Sequence, residues 1–253
     1  MDLGLEGRRA LVSGGTRGIG RAIVETLGVE GAVVGFCART ERDVIDTVGT
    51  VGGKGCNVLG QVVDVADAQA VQRWAAGSAE QLGGIDIVIA NVSALAIPDE
   101  PANWQASFEV DLMHAVRLVN AAMPHLEKSD AASIVTIASV SGREIDFAAG
   151  PYATFKAALI HYTQGLAYQL APKGIRANSV SPGNTYFPGG VWENIEQHNP
   201  ELFTQAMALN PTGRMARPEE IARAVVFMAS PAASFISGTN LVADGALTRG
   251  VQF

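Results

Sequence analysis

The feature that most restricts how this chain can fold is a repeated alternation of short, unbroken apolar runs with longer segments of helical periodicity. Strands are expected at Arg9–Val12, Ala32–Cys37, Gln61–Val65, Ile85–Ala90, Ser133–Ala138, Arg176–Val180 and Asn240–Ala243. Helical patterns stand between them at Arg21–Glu30, through Trp74 and Glu80, at Trp104–Leu126, Tyr152–Leu170 and Pro218–Ala229. The strand runs are continuous in Val, Ile and Ala rather than alternating, which suits a parallel sheet buried on both faces. Strands alternating with helices predict right-handed βαβ units and a doubly wound α/β sheet. No linker, repeat or low-complexity tract divides the 253 residues, so one domain is expected over 1–253.

The least regular stretch, 184–213, holds Pro188, Gly189, Gly190, Pro200 and Pro211 together with Trp192, Ile195, Leu202 and Phe203. Apolar side chains inside such a segment predict either a lid over a site or a surface excursion packed on itself. Charge narrows the partners. A net charge of −7 disfavours phosphate-led nucleic-acid binding and gives no reason to expect an anionic membrane surface. Cys37 and Cys56 are too few and too scattered for a disulfide framework or a zinc site. The start of the chain lacks the apolar stretch of a secretory signal, and no run approaches a membrane span, so a cytoplasmic location is expected.

Ser13-Gly14-Gly15-Thr16-Arg17-Gly18-Ile19-Gly20 falls between the first strand and the first helix. A glycine turn there lets backbone approach a pyrophosphate beside the positive end of a helix, although a glycine cluster also serves as a plain tight turn. About 20 residues beyond such a loop, an acid selects a ribose hydroxyl and an arginine a 2′-phosphate. The second strand ends in Ala38-Arg39 with no acid, and Arg17 lies in the loop itself. Two arginines around one phosphate predict NADP(H) rather than NAD(H), against the alternative that both are merely solvated.

Tyr152 and Lys156 are four apart on a strongly helical segment and share a face. A free phenol titrates near 10, and bringing it near neutrality takes about 3–4 kcal/mol, from a nearby ammonium and a cofactor cation. Ser139 follows the fifth strand, where its hydroxyl reaches the edge at which open α/β sheets bind ligands.

Taken in order, the loop at 13–20, Asp64-Val65, Asn91, Ser139, Tyr152-Ala-Thr-Phe-Lys156, Pro182-Gly183 and Asp244-Gly245 resemble the short-chain dehydrogenase/reductase family in its compact form. The likeness spans essentially the whole chain and is similar to the 3-oxoacyl carrier-protein-reductase-like branch. It implies a Rossmann-type doubly wound parallel sheet of about seven strands with helices on both faces, and a homotetramer. It also implies that Tyr152 gives and takes the proton, Ser139 hydrogen-bonds the substrate carbonyl, and Lys156 lowers the phenol and holds the nicotinamide ribose. Gly14, Thr16, Arg17, Gly18, Ile19 and Gly20 would form the phosphate loop, with Arg39 beyond it. Asp64 and Val65 would face the adenine, Asn91 would lie under the cofactor, and Pro182, Gly183 and Thr185 would approach the carboxamide.

Three places depart from the family pattern. Ala90-Asn91-Val92-Ser93 replaces Asn-Asn-Ala-Gly, which makes Ser93 a candidate substrate contact. Asp111 stands where the family has a catalytic asparagine, with His114 one turn further on. The carboxylate either holds a proton-relaying water beside Lys156 or makes only a structural contact. Phe187 occupies a position where a threonine often meets a cofactor phosphate.

The expected activity is hydride transfer between NADP(H) and a small carbonyl or secondary alcohol. Catabolic alcohol oxidation and a non-catalytic nucleotide sensor are the alternatives. Ser93, Val140, Phe147, Trp192, Leu202 and Phe203 are the pocket candidates, mostly apolar. Helices at 104–126 and 152–170 and a tail ending at Val251-Gln252-Phe253 are the expected contacts between subunits.

Overall fold

A computed structural model of the chain describes residues 2–251, so Gln252 and Phe253 of the expected tail contact lie outside it. Seven parallel strands form one sheet: β1 Arg9–Ser13, β2 Val33–Ala38, β3 Val58–Val62, β4 Ile87–Ala90, β5 Ser133–Ile137, β6 Arg176–Pro182 and β7 Asn240–Ala243. Their order is β3-β2-β1-β4-β5-β6-β7. The β1–β4 pairing, Ala10↔Ile87 to Val12↔Ile89, is where the direction of winding reverses.

One face of the sheet is covered by α1 Gly18–Val29, α2 Glu41–Gly52 and α9 Pro218–Ala229. The other is covered by α3 Ala68–Leu82, α5 His114–Leu126 and α6 Pro151–Leu170. Central strands lie between two apolar layers, which is why β4 and β5 are buried along their whole length. The cation of Arg176 reaches across to the carbonyls of Met228, Ala229 and Ser230 and so closes the negative end of α9.

Four expectations need correcting. The third strand runs Val58–Val62 rather than 61–65, because it is an edge strand registered on β2 from Val34↔Val58 to Ala38↔Val62. The buried Val63 and Val65 that drew the reading onward belong to the loop after it. A helix at Glu41–Gly52, unassigned from sequence, buries only Val44, Thr47 and Val51 and is weakened by glycine. The pattern at 104–126 is not one helix: α4 Pro101–Ser107 passes through a π turn, Phe108–Met113, into α5. Segment 184–213 is more regular than expected, with α7 Val191–His198 and α8 Pro200–Leu209. Pro200 opens α8 at its first turn, where a missing N–H costs nothing, and the Asn199 side chain caps it through Leu202 N–H.

Candidate active site

The carboxyl ends of β1, β4, β5 and β6 bring the chemistry-bearing segments to one edge. After β1, Gly14 turns at φ +72°. Gly20 passes so close that a Cβ there would overlap Gly14 O and lie 2.5 Å from Asn91 Nδ2. Asn91 braces the turn, its amide donating to Ser13 O at 3.1 Å and Gly14 O at 3.2 Å. Arg17 is the N-cap of α1 but supplies no side-chain cap, so the first-turn N–H groups keep their donor capacity for an anion. Glycine cradle, uncapped helix terminus and switch point together fit a dinucleotide.

Arg17 and Arg39 are both exposed. A shallow cavity beside the loop is lined by Thr16, Arg17, Arg42, Asp43 and Asp46, and not by Arg39. Arg42 stands beside the loop because it lies in the first turn of α2, a helix the apolar pattern does not announce. In the loop after β3, Asp64 is exposed and Val65 buried. Pro182 ends β6, and Gly183 touches Asp244, whose Cα a Cβ would meet at 2.8 Å. Thr185 is buried and donates its hydroxyl proton to Gly183 O at 3.1 Å.

The Ser/Tyr/Lys set is tightly built. Ser139 N-caps the short 3-10 turn Val140–Gly142 and accepts from Ser141 N–H at 3.1 Å. That turn sits directly on α6, since a Cβ on Gly142 would meet Ala157 N and Lys156 C at 2.8 Å. Tyr152 and Lys156 lie in the first turns of α6, with the ammonium 5.7 Å from the phenol ring centre. Lys156 is 2% exposed and donates to Ile137 O at 2.9 Å.

The fully buried Asp111 faces Lys156 Nζ at 3.3 Å. Its Oδ2 accepts from Ala94 N–H at 3.4 Å, while Oδ1 lies off the hydrogen-bond line of the lysine and keeps acceptor capacity. The π turn carries Asp111 inward, and it is pinned on α6 by Phe155, whose ring meets Trp104 at 6.0 Å and Phe108 at 5.8 Å. The phenol is not lowered within the protein alone. Burial pushes Tyr152 up to about 12, with the Asp111 and Asp146 charges acting the same way and the Ser139 hydroxyl partly opposing them.

His114, one turn past Asp111, is buried on the same side. Its Nδ1 meets the Val110 carbonyl, which can only accept, so Nδ1 carries the proton and Nε2 accepts from Ser13 Oγ at 3.1 Å. Ser13 Oγ in turn accepts from Asn91 N–H at 2.9 Å. This tie between α5 and the glycine turn has no local signature in the sequence, because it depends on three distant segments meeting.

Burial holds His114 down to about 4, aided by the Lys156 and Arg117 charges and opposed by the Val110 carbonyl and Asp111. The unfolded side chain titrates near 6.5 and binds more protons between those values. The stability linked to this group is therefore complete above pH 6.5 and lost as pH falls toward 4, about 3 kcal/mol in all. His114→Gln cannot gain that proton and should show a shallower loss of urea midpoint from pH 7 to about pH 4. Parallel curves for the two proteins would remove the assignment.

Of the pocket candidates, Ser93 is half-buried and its Oγ accepts from Leu95 N–H at 3.0 Å, steadying Leu95 at φ +51°. Phe147 is about half exposed on the loop before α6, and Val140 is buried in the 3-10 turn after Ser139. Trp192 is 4% exposed, packed with Ala206 and Met215 in a small core of its own. Edge-on contacts run Phe147–Trp192 at 5.3 Å, Trp192–Phe203 at 6.5 Å and Phe203–Tyr186 at 6.2 Å. Trp192 thus joins segment 184–213 to the loop before α6, while Leu202 and Phe203 are half-buried.

This sheet and this site define a nicotinamide-dependent oxidoreductase class, and the chain belongs to the short-chain dehydrogenase/reductase family. A family model described as enoyl-(acyl carrier protein) reductase matches residues 14–248. Isoepoxydon dehydrogenase patN of Penicillium expansum is 42% identical over 100% of this chain and 99% of its own. Dehydrogenase/reductase SDR family member 4 of Bos taurus is 33% identical over 97% of this chain and 89% of its own. Among solved structures, a short-chain dehydrogenase of Burkholderia cenocepacia in complex with NADP superposes with a TM-score of 0.87. It is 30% identical, over 96% of this chain and 98% of that one. No helix among the described residues is long and apolar enough to cross a membrane.

Proposed function

We propose that this chain is an NADP(H)-dependent dehydrogenase/reductase that moves a hydride between the cofactor and a small carbonyl or secondary alcohol, with Tyr152 as the general acid and base. The observation that carries the reading is the convergence of Ser139, Tyr152 and the buried Lys156 beside the braced glycine turn. When bound, the nicotinamide supplies or takes the hydride. Gly14, Thr16, Gly18, Ile19, Gly20 and Asn91 would hold the pyrophosphate end, with Asp64 and Val65 toward the adenine and Pro182, Gly183 and Thr185 toward the carboxamide. Arg17 and Arg39, with Arg42 beside them, would take the 2′-phosphate.

The chain's own residues handle the proton. A phenol held up to about 12 is protonated at neutral pH and is therefore a donor to a carbonyl oxygen. Ser139 accepts from Ser141 N–H, and its O–H, which faces the phenol oxygen in the free protein, turns to the same substrate oxygen. Lys156 orients the ribose, and Asp111 Oδ1 accepts from a water that links the lysine to solvent. Segment 184–213 acts as the lid, hinged on the Phe147–Trp192 contact, and Ser93, Phe147 and Phe203 face the substrate. The catabolic alternative, alcohol oxidation, draws support from the dehydrogenase names of the fungal relatives. A cytoplasmic homotetramer using α4–α5 and α6, which leave Trp104, Phe108 and Tyr168 exposed, belongs to the same proposal.

Steady-state rates with a ketone and alcohol panel, using NADPH and NADH in both directions, test the reading. Replacing Arg39 by Ala should cut the NADPH preference by about 10- to 100-fold, the worth of a charge-assisted contact. An unaltered preference would assign that role to Arg17 and Arg42 alone.

A further inference from the structure

We infer that Phe187 sets the affinity for the nucleotide: its ring occupies the surface over Gly18 that a pyrophosphate needs, so seating the cofactor displaces the ring. This rests on the nicotinamide-dependent reading above. A Cβ built on Gly18 would lie 2.5, 2.7 and 2.8 Å from Cζ, Cε2 and Cε1, the far edge of the ring. The same edge lies 3.0–3.1 Å from a Cβ on Gly190, so the ring is wedged between two glycines. Gly18 is thus open not only for a ligand but because an aromatic side chain fills the space now.

The wedge is built, not incidental. Phe187-Pro188-Gly189-Gly190 is a closed turn, with Gly190 N–H donating to Phe187 O at 3.0 Å and Gly189 at φ +73°. Glu193 accepts from Gly189 N–H at 2.7 Å and holds the turn onto α7. On the other side, Tyr186 N–H donates to Ala216 O at 2.9 Å.

Chemically, the ring is a poor occupant. Gly18 opens α1, whose N-cap side chain satisfies none of the first-turn donors, and a hydrocarbon edge offers them nothing. An anionic pyrophosphate satisfies them and gains from the helix dipole. The ring is therefore a competitor that the dinucleotide evicts, and only the fraction of molecules with the ring displaced binds. Eviction also reaches the substrate side. The turn leads straight into α7, where Trp192 packs against Phe147, so cofactor entry and the posture of 184–213 are coupled.

The test is direct titration without substrate, following NADPH fluorescence, for wild type, Phe187→Ala and Phe187→Leu. A closed state that taxes binding predicts an NADPH Kd about three- to tenfold lower for Ala, with Leu between Ala and wild type. Adenosine 2′-monophosphate, which lacks the pyrophosphate, should bind all three alike. If Ala disrupts folding, Leu, which keeps an apolar side chain on the turn, decides. Equal or weaker NADPH binding by the folded variants would overturn the inference and make Phe187 a neutral wall or a partner of the cofactor. Wild type that binds neither NADPH nor NADH would instead overturn the functional reading beneath it.

Discussion

Tyr152→Phe should lose about two to four orders of magnitude in kcat/KM while binding NADPH as tightly as the wild type. The ring remains in its place 5.7 Å from the Lys156 ammonium, and only the proton donor is gone. Since that hydroxyl sits where burial disfavours its ionised form, its loss leaves no orphaned charge, and thermal stability should hold. Turnover together with cofactor titration checks this. A variant within tenfold of wild type would mean that the proton comes from elsewhere.

The second large effect is at Asp111. Removing its carboxylate with Ala leaves Lys156 buried beside Ile137 O without an anion, and breaking such a pair costs roughly 3–5 kcal/mol. Asn keeps the polar contacts and should cost less. The variants separate structure from chemistry. Asp111 is one cause of the raised phenol, so Asp111→Asn should lower the pH at which alcohol oxidation, which needs the phenolate, becomes fast. Urea midpoints test the first claim and pH–rate profiles the second. Superimposable profiles for Asn and wild type would reduce Asp111 to a packing role.

The doubly wound sheet and most strand positions were legible because they depend on local rules, as does the choice of Ser139, Tyr152, Lys156 and the glycine turn as candidates: an apolar run, a four-residue helical step, a glycine between strand and helix. What escaped depended on packing between distant segments. The π turn at Phe108–Met113 has no signature in a 3.6-residue periodicity, yet it aims Asp111 at Lys156. Prolines in 184–213 read as breakers, but Pro200 begins a helix. Arg42 joined the loop only once α2 was placed, and nothing in the residues near Phe187 announces that its ring rests on Gly18.

The Asn91 brace has a consequence for how the molecule comes into being. Its contact with the glycine turn spans 77 residues, because β4, not β2, supplies the other flank of β1. Early in refolding, β1, β2 and β3 can associate through nearer neighbours, but the turn after β1 is still unbraced. Closing that long loop is entropically slow, so nucleotide affinity should be among the last properties to appear, well after most helical signal has returned.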